Sequence, residues 1–277
     1  MKQARGFSLI ELAIVLVLIT ILVGGLAVPL TAQIQARRIA ETKKTLDETR
    51  EAILGYAMTH SCSCVYDTVG PTGVLQPAPP STCTATCPAT NPSSTTVTLQ
   101  HAYLPCPDTD GDGRENRNLA TRACIEQVVG SNLSHGWLPW VDLGVAQQDA
   151  WGNRLLYAVS TAFSNEVRGF SSSTTLASPL QICTVNTCAA PDVASNVVFL
   201  LASLGANGWG ALNVNGNALA DPTGANELEN TDADPVYVSR THTQAGGAGG
   251  EFDDLLVWVP DSLLKVRVCP TGSSCSP

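Results

Sequence analysis

The sequence is short of charged residues, of aromatic residues and of catalytic motifs. Only 14% of its 277 residues are Asp, Glu, Lys or Arg, and 5% are aromatic. The net charge of −9 argues against nucleic acid as a main partner, because phosphate binding needs patches of Lys and Arg. No Gly-x-Ser-x-Gly, His-Glu-x-x-His or Gly-x-Gly-x-x-Gly motif occurs, and the four histidines are scattered. We therefore expect neither an enzyme nor a nucleic-acid-binding protein.

One long apolar run at the start of the chain is the most prominent feature that is present. No residue from Leu12 to Leu30 is charged, and this is about the length that crosses a bilayer core. Glu11 lies at the outer end of the run, after Phe7, Leu9 and Ile10. A carboxylate in such a segment costs roughly 2.5–3.5 kcal/mol. We therefore interpret Glu11 as a functional residue that pairs with a cation, the alternative being an acid at the membrane edge that reaches water.

A short basic leader, residues 1–6, precedes the stretch Gly6-Phe7-Ser8-Leu9-Ile10-Glu11-Leu12. This stretch resembles the processing site of type IV pilins and type II secretion pseudopilins. The resemblance implies that prepilin peptidase cuts between Gly6 and Phe7 and methylates the new N-terminal amine of Phe7. It also implies that Glu11 meets the N-terminal amine of a neighbouring subunit, or of its own chain, when subunits stack.

A cleaved signal peptide is the rival interpretation of the same segment. Lys2 and Arg5 would form its basic region, and Gly25-Leu26-Ala27 could serve as its cleavage site. Glu11 interrupts the apolar region that such a peptide requires, which counts against this interpretation. The first residue of the mature protein distinguishes the two, being Phe7 in one case and Val28 in the other.

The helical pattern continues beyond the apolar run. Ile39, Leu46, Ile53 and Ala57 fall on one stripe of an amphipathic helix. The predicted organisation is therefore a leader at 1–6, a transmembrane and assembly helix at 7–30, an amphipathic continuation at 31–60 and a periplasmic globular domain at 61–277.

All ten cysteines lie beyond the apolar run, and none forms a Cys-x-x-Cys pair. Zinc binding is therefore less favoured than disulfides, which form on the oxidising side of a membrane. Local closure favours three pairings, Cys183 with Cys188, Cys269 with Cys275, and Cys106 with Cys124. The other four are expected to pair within a long Pro-rich loop between His60 and Leu99, and they are Cys62, Cys64, Cys83 and Cys87.

Acids alternate in the segment from Pro107 to Gly113, where Asp108, Asp110 and Asp112 precede a glycine. This spacing matches the opening of a calcium loop. The bidentate Glu that would complete an EF-hand is missing, since Leu119 stands at that position. Two interpretations stay open, a weak calcium site and an Asx-rich turn without metal.

Three later segments resemble landmarks of the major type II secretion pseudopilins, and they are Asp149-Ala150-Trp151-Gly152-Asn153, Ser203-Leu204-Gly205-Ala206-Asn207-Gly208 and Phe252-Asp253-Asp254-Leu255-Leu256-Val257-Trp258-Val259. The resemblance implies strands near 154–160, 197–203 and 252–259. The second segment opens a loop that binds calcium in that family, although Asn207 here replaces the usual aspartate. Oxygens for such a site could come from Glu227, Glu229, Asp232 and Asp234, and a solvated acidic loop is the alternative.

The expected fold is α+β, a long N-terminal transmembrane helix packed on a small antiparallel β-sheet (the pilin-like fold), with disulfide-stapled loops. The expected function is that of a structural subunit of a type IV pilus or a type II secretion pseudopilus. Its partners would be prepilin peptidase, other subunits and an inner-membrane assembly platform. The chain would lie in the inner membrane with a periplasmic domain, and then in the filament. The alternatives are a minor tip pilin acting as adhesin or initiator, and a membrane-anchored periplasmic binding or enzymatic domain that does not polymerise.

Overall fold

The computed structural model describes residues 8–60, 102–118, 122–125, 131–166, 169–177, 179–270 and 275, without the side chains of 23–29. The Pro-rich loop predicted between His60 and Leu99, with its four cysteines, lies almost wholly outside the described residues. The described residues form five helices and six strands. In order they are α1 (Leu9–Thr59), β1 (Leu133–Trp137), α2 (Trp140–Leu143), β2 (Leu156–Ser160), α3 (Thr161–Ser164), β3 (Leu180–Cys183), β4 (Ala194–Ser203), α4 (Ala225–Leu228), β5 (Val236–Val238), β6 (Leu255–Pro260) and α5 (Asp261–Val268).

The chain divides into two compact units, Met1–Glu41 and Thr42–Pro277. Helix α1 begins in the first unit and ends in the second. Within the second unit, the buried side of α1 contains Leu46, Ile53 and Ala57, all without exposed surface. These are three of the four residues that the sequence places on one helical stripe, so the amphipathic pattern is confirmed for this part of the helix.

Strand β4 is the centre of the sheet, which curls into a half-barrel. Its apolar, β-prone run pairs with β6 along one edge, from Val197 with Pro260 to Ser203 with Leu255. The other edge is shared by β2, which pairs antiparallel near Phe199, and β3, which pairs antiparallel near Val197. Strand β1 extends the sheet beyond β2.

The sheet is mixed, which corrects the expectation of an antiparallel sheet. Strands β3 and β5 pair in parallel, with Ile182 opposite Tyr237. The reason lies in the connection between them, because the chain passes through β4 and a long loop before it returns in the direction of β3. Pairing between β3 and β4 also shifts register, at a point where Asn196 adopts a φ of 56°, which asparagine tolerates better than most residues.

Both faces of the sheet are covered by apolar side chains. One face, with Tyr157, Phe199 and Leu201, packs with Leu46 and Ile53 of α1 in a single core. The other face carries a second apolar cluster, which includes Leu200 and is partly covered by Trp137 and Trp258. Strands with buried residues on both faces read as nearly continuous apolar runs, as β2 and β4 do here.

Three disulfides close short segments of the second unit, and they have the three pairings that local closure favours. Cys106 bonds to Cys124 over a separation of 18 residues, Cys183 to Cys188 over 5, and Cys269 to Cys275 over 6. The first ties the Asp108 segment to the residues before β1, and the last ties the end of α5 to the chain's final residues.

Candidate functional site

The first turns of α1 present apolar side chains in every direction. Eleven large apolar residues between Leu9 and Leu22 are each at least 47% exposed. A helix that is apolar all round is stable only when other groups surround it. An exposed apolar surface of this extent marks a site of association rather than a solvated helix.

Glu11 is the one acid on this surface, since no other described residue from Ser8 to Leu30 carries a charge. Its carboxylate accepts a hydrogen bond of 2.9 Å from the backbone N–H of Ser8, three residues earlier. An acid in the first turn also lies at the positive end of the helix dipole. The predicted cleavage and methylation residues, Gly6 and Phe7, lie outside the described residues.

The described part of the chain contains no helix with the length of apolar sequence that a bilayer crossing requires. The spanning segment that the sequence predicts over residues 7–30 is therefore not confirmed. Of that segment, Phe7 and the side chains of 23–29 lie outside the described residues.

The three aspartates predicted as calcium ligands do converge. Asp108, Asp110 and Asp112 each place a carboxylate oxygen within 4.8 Å of the other two. Asp108 is fully buried and accepts three backbone hydrogen bonds, from Asp110, Gly111 and Gly113, at 3.2, 2.6 and 2.8 Å. Burial raises the pKa of Asp108, whereas the N–H of Asp112 lowers that of Asp110. The arrangement combines a nested Asx turn with three oxygens aimed at a common region.

Glu115, which follows this turn, belongs to a different group. Its carboxylate pairs with the Arg117 guanidinium through two bonds, Oε1 to Nε at 3.1 Å and Oε2 to Nη2 at 2.9 Å. Arg117 also donates to the carbonyl oxygens of Leu104 (3.1 Å) and Ser164 (2.6 Å). Its side chain is only 5% exposed and its charged carbon lies 5.2 Å from the centre of the Tyr103 ring. Desolvation opposes the charge on Arg117, but its bonds to Glu115 prevail and raise its pKa. Sequence reasoning missed this residue, because Leu104 and Ser164, whose carbonyl oxygens it binds, lie in other segments of the chain.

The four acids predicted to supply oxygens after β4 separate into two groups. Glu227 lies with Asp253 and Asp254; Glu227 and Asp254 are buried, and Asp253 is half-buried. Glu229 instead lies with Asp232 and Asp234, towards solvent. Sequence reasoning did not link Glu227 to the Asp-Asp pair before β6, although adjacent acids in front of a buried strand were a signal for it.

The described histidines do not form a catalytic group with a nucleophile. His60 stacks on Tyr56, with ring centroids 3.8 Å apart, and His135 stacks on Tyr237 at 6.4 Å. Burial lowers the pKa of His135 to about 4, so this ring is neutral at pH 7. His101 lies outside the described residues.

Comparison with known families matches residues 1–27 to the prokaryotic N-terminal methylation motif. Neither the curated proteins nor the solved structures include a match to this chain. The matched residues contain the predicted cleavage point and Glu11, and they run into the exposed apolar surface of α1. A motif of this kind indicates a precursor that prepilin peptidase processes. The chain therefore carries at its N-terminus the methylation signature of the type IV pilins and pseudopilins.

Proposed function

We propose that this chain is a structural subunit, a pilin or pseudopilin, of a type IV pilus or a type II secretion pseudopilus. The observation that carries the proposal is the methylation motif at 1–27, which includes the exposed apolar residues of α1 from Leu9 to Leu22. Prepilin peptidase would remove residues 1–6 and methylate Phe7. The subunit would wait in the inner membrane with its second unit in the periplasm, and an inner-membrane platform would move it into the filament.

Packing of the α1 helices supplies the cohesion of such a filament. Removing a Leu, Ile or Val side chain from water contributes roughly 1.5–3 kcal/mol. Even partial coverage of the eleven apolar residues between Leu9 and Leu22 therefore outweighs the roughly 2.5–3.5 kcal/mol that one acid costs in apolar surroundings. Because of that cost, Glu11 would select the register in which the α1 helices stack. A buried carboxylate is tolerated only in a register that gives it a positive partner. The new N-terminal amine of Phe7 is the cation that processing creates next to it.

The mature N-terminus and the Glu11 carboxylate provide the decisive test. Mass spectrometry of the chain from cells that contain prepilin peptidase should show N-methylated Phe7 as the first residue. Glu11→Ala and the isosteric Glu11→Gln should accumulate in the membrane yet be absent from sheared filaments. Glu48→Ala is the matched control, because Glu48 lies on the same helix in an exposed pair with Lys44 (3.5 Å) and should enter filaments normally.

Three outcomes would count against this function. A chain that still begins at Met1 would exclude processing, and one that begins at Val28 would establish a signal peptide. Normal entry of Glu11→Ala into filaments would remove the role of the acid. Failure of the natural chain to copurify with sheared filaments would favour the alternative of an anchored periplasmic domain, and labelling confined to filament tips would favour a minor tip subunit.

The proposed role is structural, and no catalytic residue is assigned. In support, the Arg117 guanidinium is bound by Glu115 and by backbone carbonyl oxygens, and His60 and His135 pack against aromatic rings.

Calcium binding at the Asp108 turn is proposed as an accessory feature of the same subunit. Asp110 and Asp112 are exposed and, with Asp108, would bring three carboxylates to one cation. Calcium should then raise the melting temperature of the natural chain and leave that of the Asp110→Asn/Asp112→Asn variant unchanged. Equal melting temperatures of the natural chain in calcium and in EGTA would leave the Asx turn as the whole explanation.

A further inference from the structure

The loop between β4 and β6 gathers three acids that no Lys or Arg of the described chain neutralises by an ion pair. Glu227, Asp253 and Asp254 have carboxylate oxygens that all lie within 4.8 Å of one another. Glu227 and Asp254 are 1% and 7% exposed. Burial raises the pKa of each of the three carboxyl groups. A group of this kind needs either a cation or a set of hydrogen-bond donors.

Asn207 supplies donors to Glu227. Its Nδ2 group lies 3.1 and 3.3 Å from the two carboxylate oxygens of Glu227. Its Oδ1 atom accepts the backbone N–H of Trp209 at 3.1 Å. A backbone N–H can only donate, so the amide oxygen must face Trp209 and the amide N–H₂ group must face Glu227. The orientation of the amide is thus fixed by its two neighbours.

The two aspartates find their donors in the same loop and its surroundings. Asp253 Oδ2 accepts the backbone N–H groups of Ala206 and Asn207, both at 3.0 Å. Asp254 Oδ2 accepts a hydrogen bond of 2.7 Å from Nδ2 of Asn230. The backbone N–H of Val238 donates to Asn230 Oδ1 and so fixes the orientation of that amide. Asp253 Oδ1 is buried without a hydrogen-bond partner, and burial raises the pKa of this carboxyl group.

These contacts do not fit the calcium ion that the resemblance implies for this loop. A calcium ion would need an oxygen lone pair from residue 207, which the aspartate of the pseudopilin loop would give. Asn207 instead turns its N–H₂ group towards the Glu227 carboxylate. We propose that the amide of Asn207 takes the place of a calcium ion, so that the loop from Ser203 to Asp254 is closed by hydrogen bonds and folds without metal. The inference concerns the folding of one loop and does not depend on assembly into a filament.

The test exchanges the amide for the acid in the full processed chain, purified in detergent. All variants carry Asp110→Asn and Asp112→Asn, so that the Asp108 turn cannot respond to calcium. The chain with Asn207 should melt at the same temperature in calcium and in EGTA. Asn207→Asp should melt lower in EGTA, because a fourth acid then meets Glu227. Its melting temperature should rise by about 3–6 °C for each tenfold increase in free calcium above the dissociation constant.

Two controls isolate the position. Asn215→Asp adds the same charge to an exposed residue of the same loop and should stay insensitive to calcium. Glu227→Gln, added to Asn207→Asp, removes a ligand and should abolish the calcium response.

The inference is overturned if EGTA lowers the melting temperature of the Asn207 chain, or if Asn207→Asp folds and ignores calcium. Should Asn207→Asp not fold, Asn207→Ala decides instead. Loss of the donors should lower its melting temperature equally in calcium and in EGTA, and an unchanged melting temperature would refute the role of the amide. Terbium luminescence excited through tryptophan gives an independent reading, because emission from the Asn207 chain that Glu227→Gln abolishes would show that a cation binds at Glu227 and would refute the inference.

Discussion

Replacing Arg117 by leucine should destabilise the second unit far more than the same replacement of Arg114, an exposed arginine three residues earlier. The substitution leaves Glu115 without its two-bond partner and deprives the carbonyl oxygens of Leu104 and Ser164 of their donor. The pair is largely shielded, since the side chains of Arg117 and Glu115 are 5% and 22% exposed. The substitution also removes the cation over the Tyr103 ring.

The size of the effect follows from this burial. Removing one partner of a buried pair typically costs about 3–5 kcal/mol, because the other charge is left uncompensated. We expect the lower end, about 3 kcal/mol, because Glu115 keeps some contact with water. For a unit of this size, that corresponds to a fall in melting temperature of about 6–12 °C.

Thermal unfolding of the full chain, followed by circular dichroism, measures this shift. Arg114→Leu is the matched control in the same segment, because Arg114 pairs with Asp142 at 3.2 Å while 62% exposed. Surface pairs of this kind contribute about 0–1 kcal/mol. Arg117→Lys should fall between the two, since it keeps the charge but loses the planar fork that binds Glu115. Equal shifts for Arg117→Leu and Arg114→Leu would refute the reasoning.

Three further predictions address the core, a carboxyl group and the disulfides. Ile53 has no exposed surface, so Ile53→Ala should lower the free energy of unfolding by about 2–5 kcal/mol in denaturant titrations. Met58 lies on the same helix and is 45% exposed, so Met58→Ala should change it by only about 0.5 kcal/mol. Burial and the charges of Asp234 and Asp232 raise the pKa of Glu229 from 4.5 to about 7. The folded chain binds this proton more tightly than the unfolded chain, so the stability that the protonated carboxyl contributes is complete below pH 4.5 and is lost as the pH rises through about 7. The melting temperature of Glu229→Gln should therefore depend less on pH between 4.5 and 7 than that of the natural chain. Replacing Cys106 and Cys124 by serine should lower the free energy of unfolding by about 1 kcal/mol more than replacing Cys183 and Cys188, because the first disulfide closes the longer loop. Equal losses in urea titrations would contradict the chain-entropy account.

Strong local patterns allowed much of this fold to be predicted. Leu46, Ile53 and Ala57 lie on one side of α1 because their spacing follows the 3.6-residue period of a helix. That side packs against the sheet. The apolar run of β4 forms a paired strand, as expected, and so does the predicted last strand from Leu255 onwards, whereas Asp253 and Asp254 lie before β6. Alternate spacing was also enough to bring Asp108, Asp110 and Asp112 together.

Features that depend on distant segments escaped sequence reasoning. Strand β1 contains His135 and Gly136, and β5 has only three residues, which follow an acidic segment, so neither shows an alternating apolar pattern. Parallel pairing of β3 with β5 depends on the path of the intervening chain, which no local window contains. Arg117 reads as one more charged surface residue until Leu104 and Ser164 are brought beside it.

The division of the chain at Glu41 has a practical consequence for work at the bench. Thr42, the first residue of the second unit, is buried, and its hydroxyl oxygen accepts the backbone N–H of Ala150 at 3.2 Å. A recombinant fragment that starts just before Thr42 would keep the helical turns that pack against the sheet and would omit the exposed apolar residues from Leu9 to Leu22. Such a fragment is the one to use in crystallisation trials and binding assays.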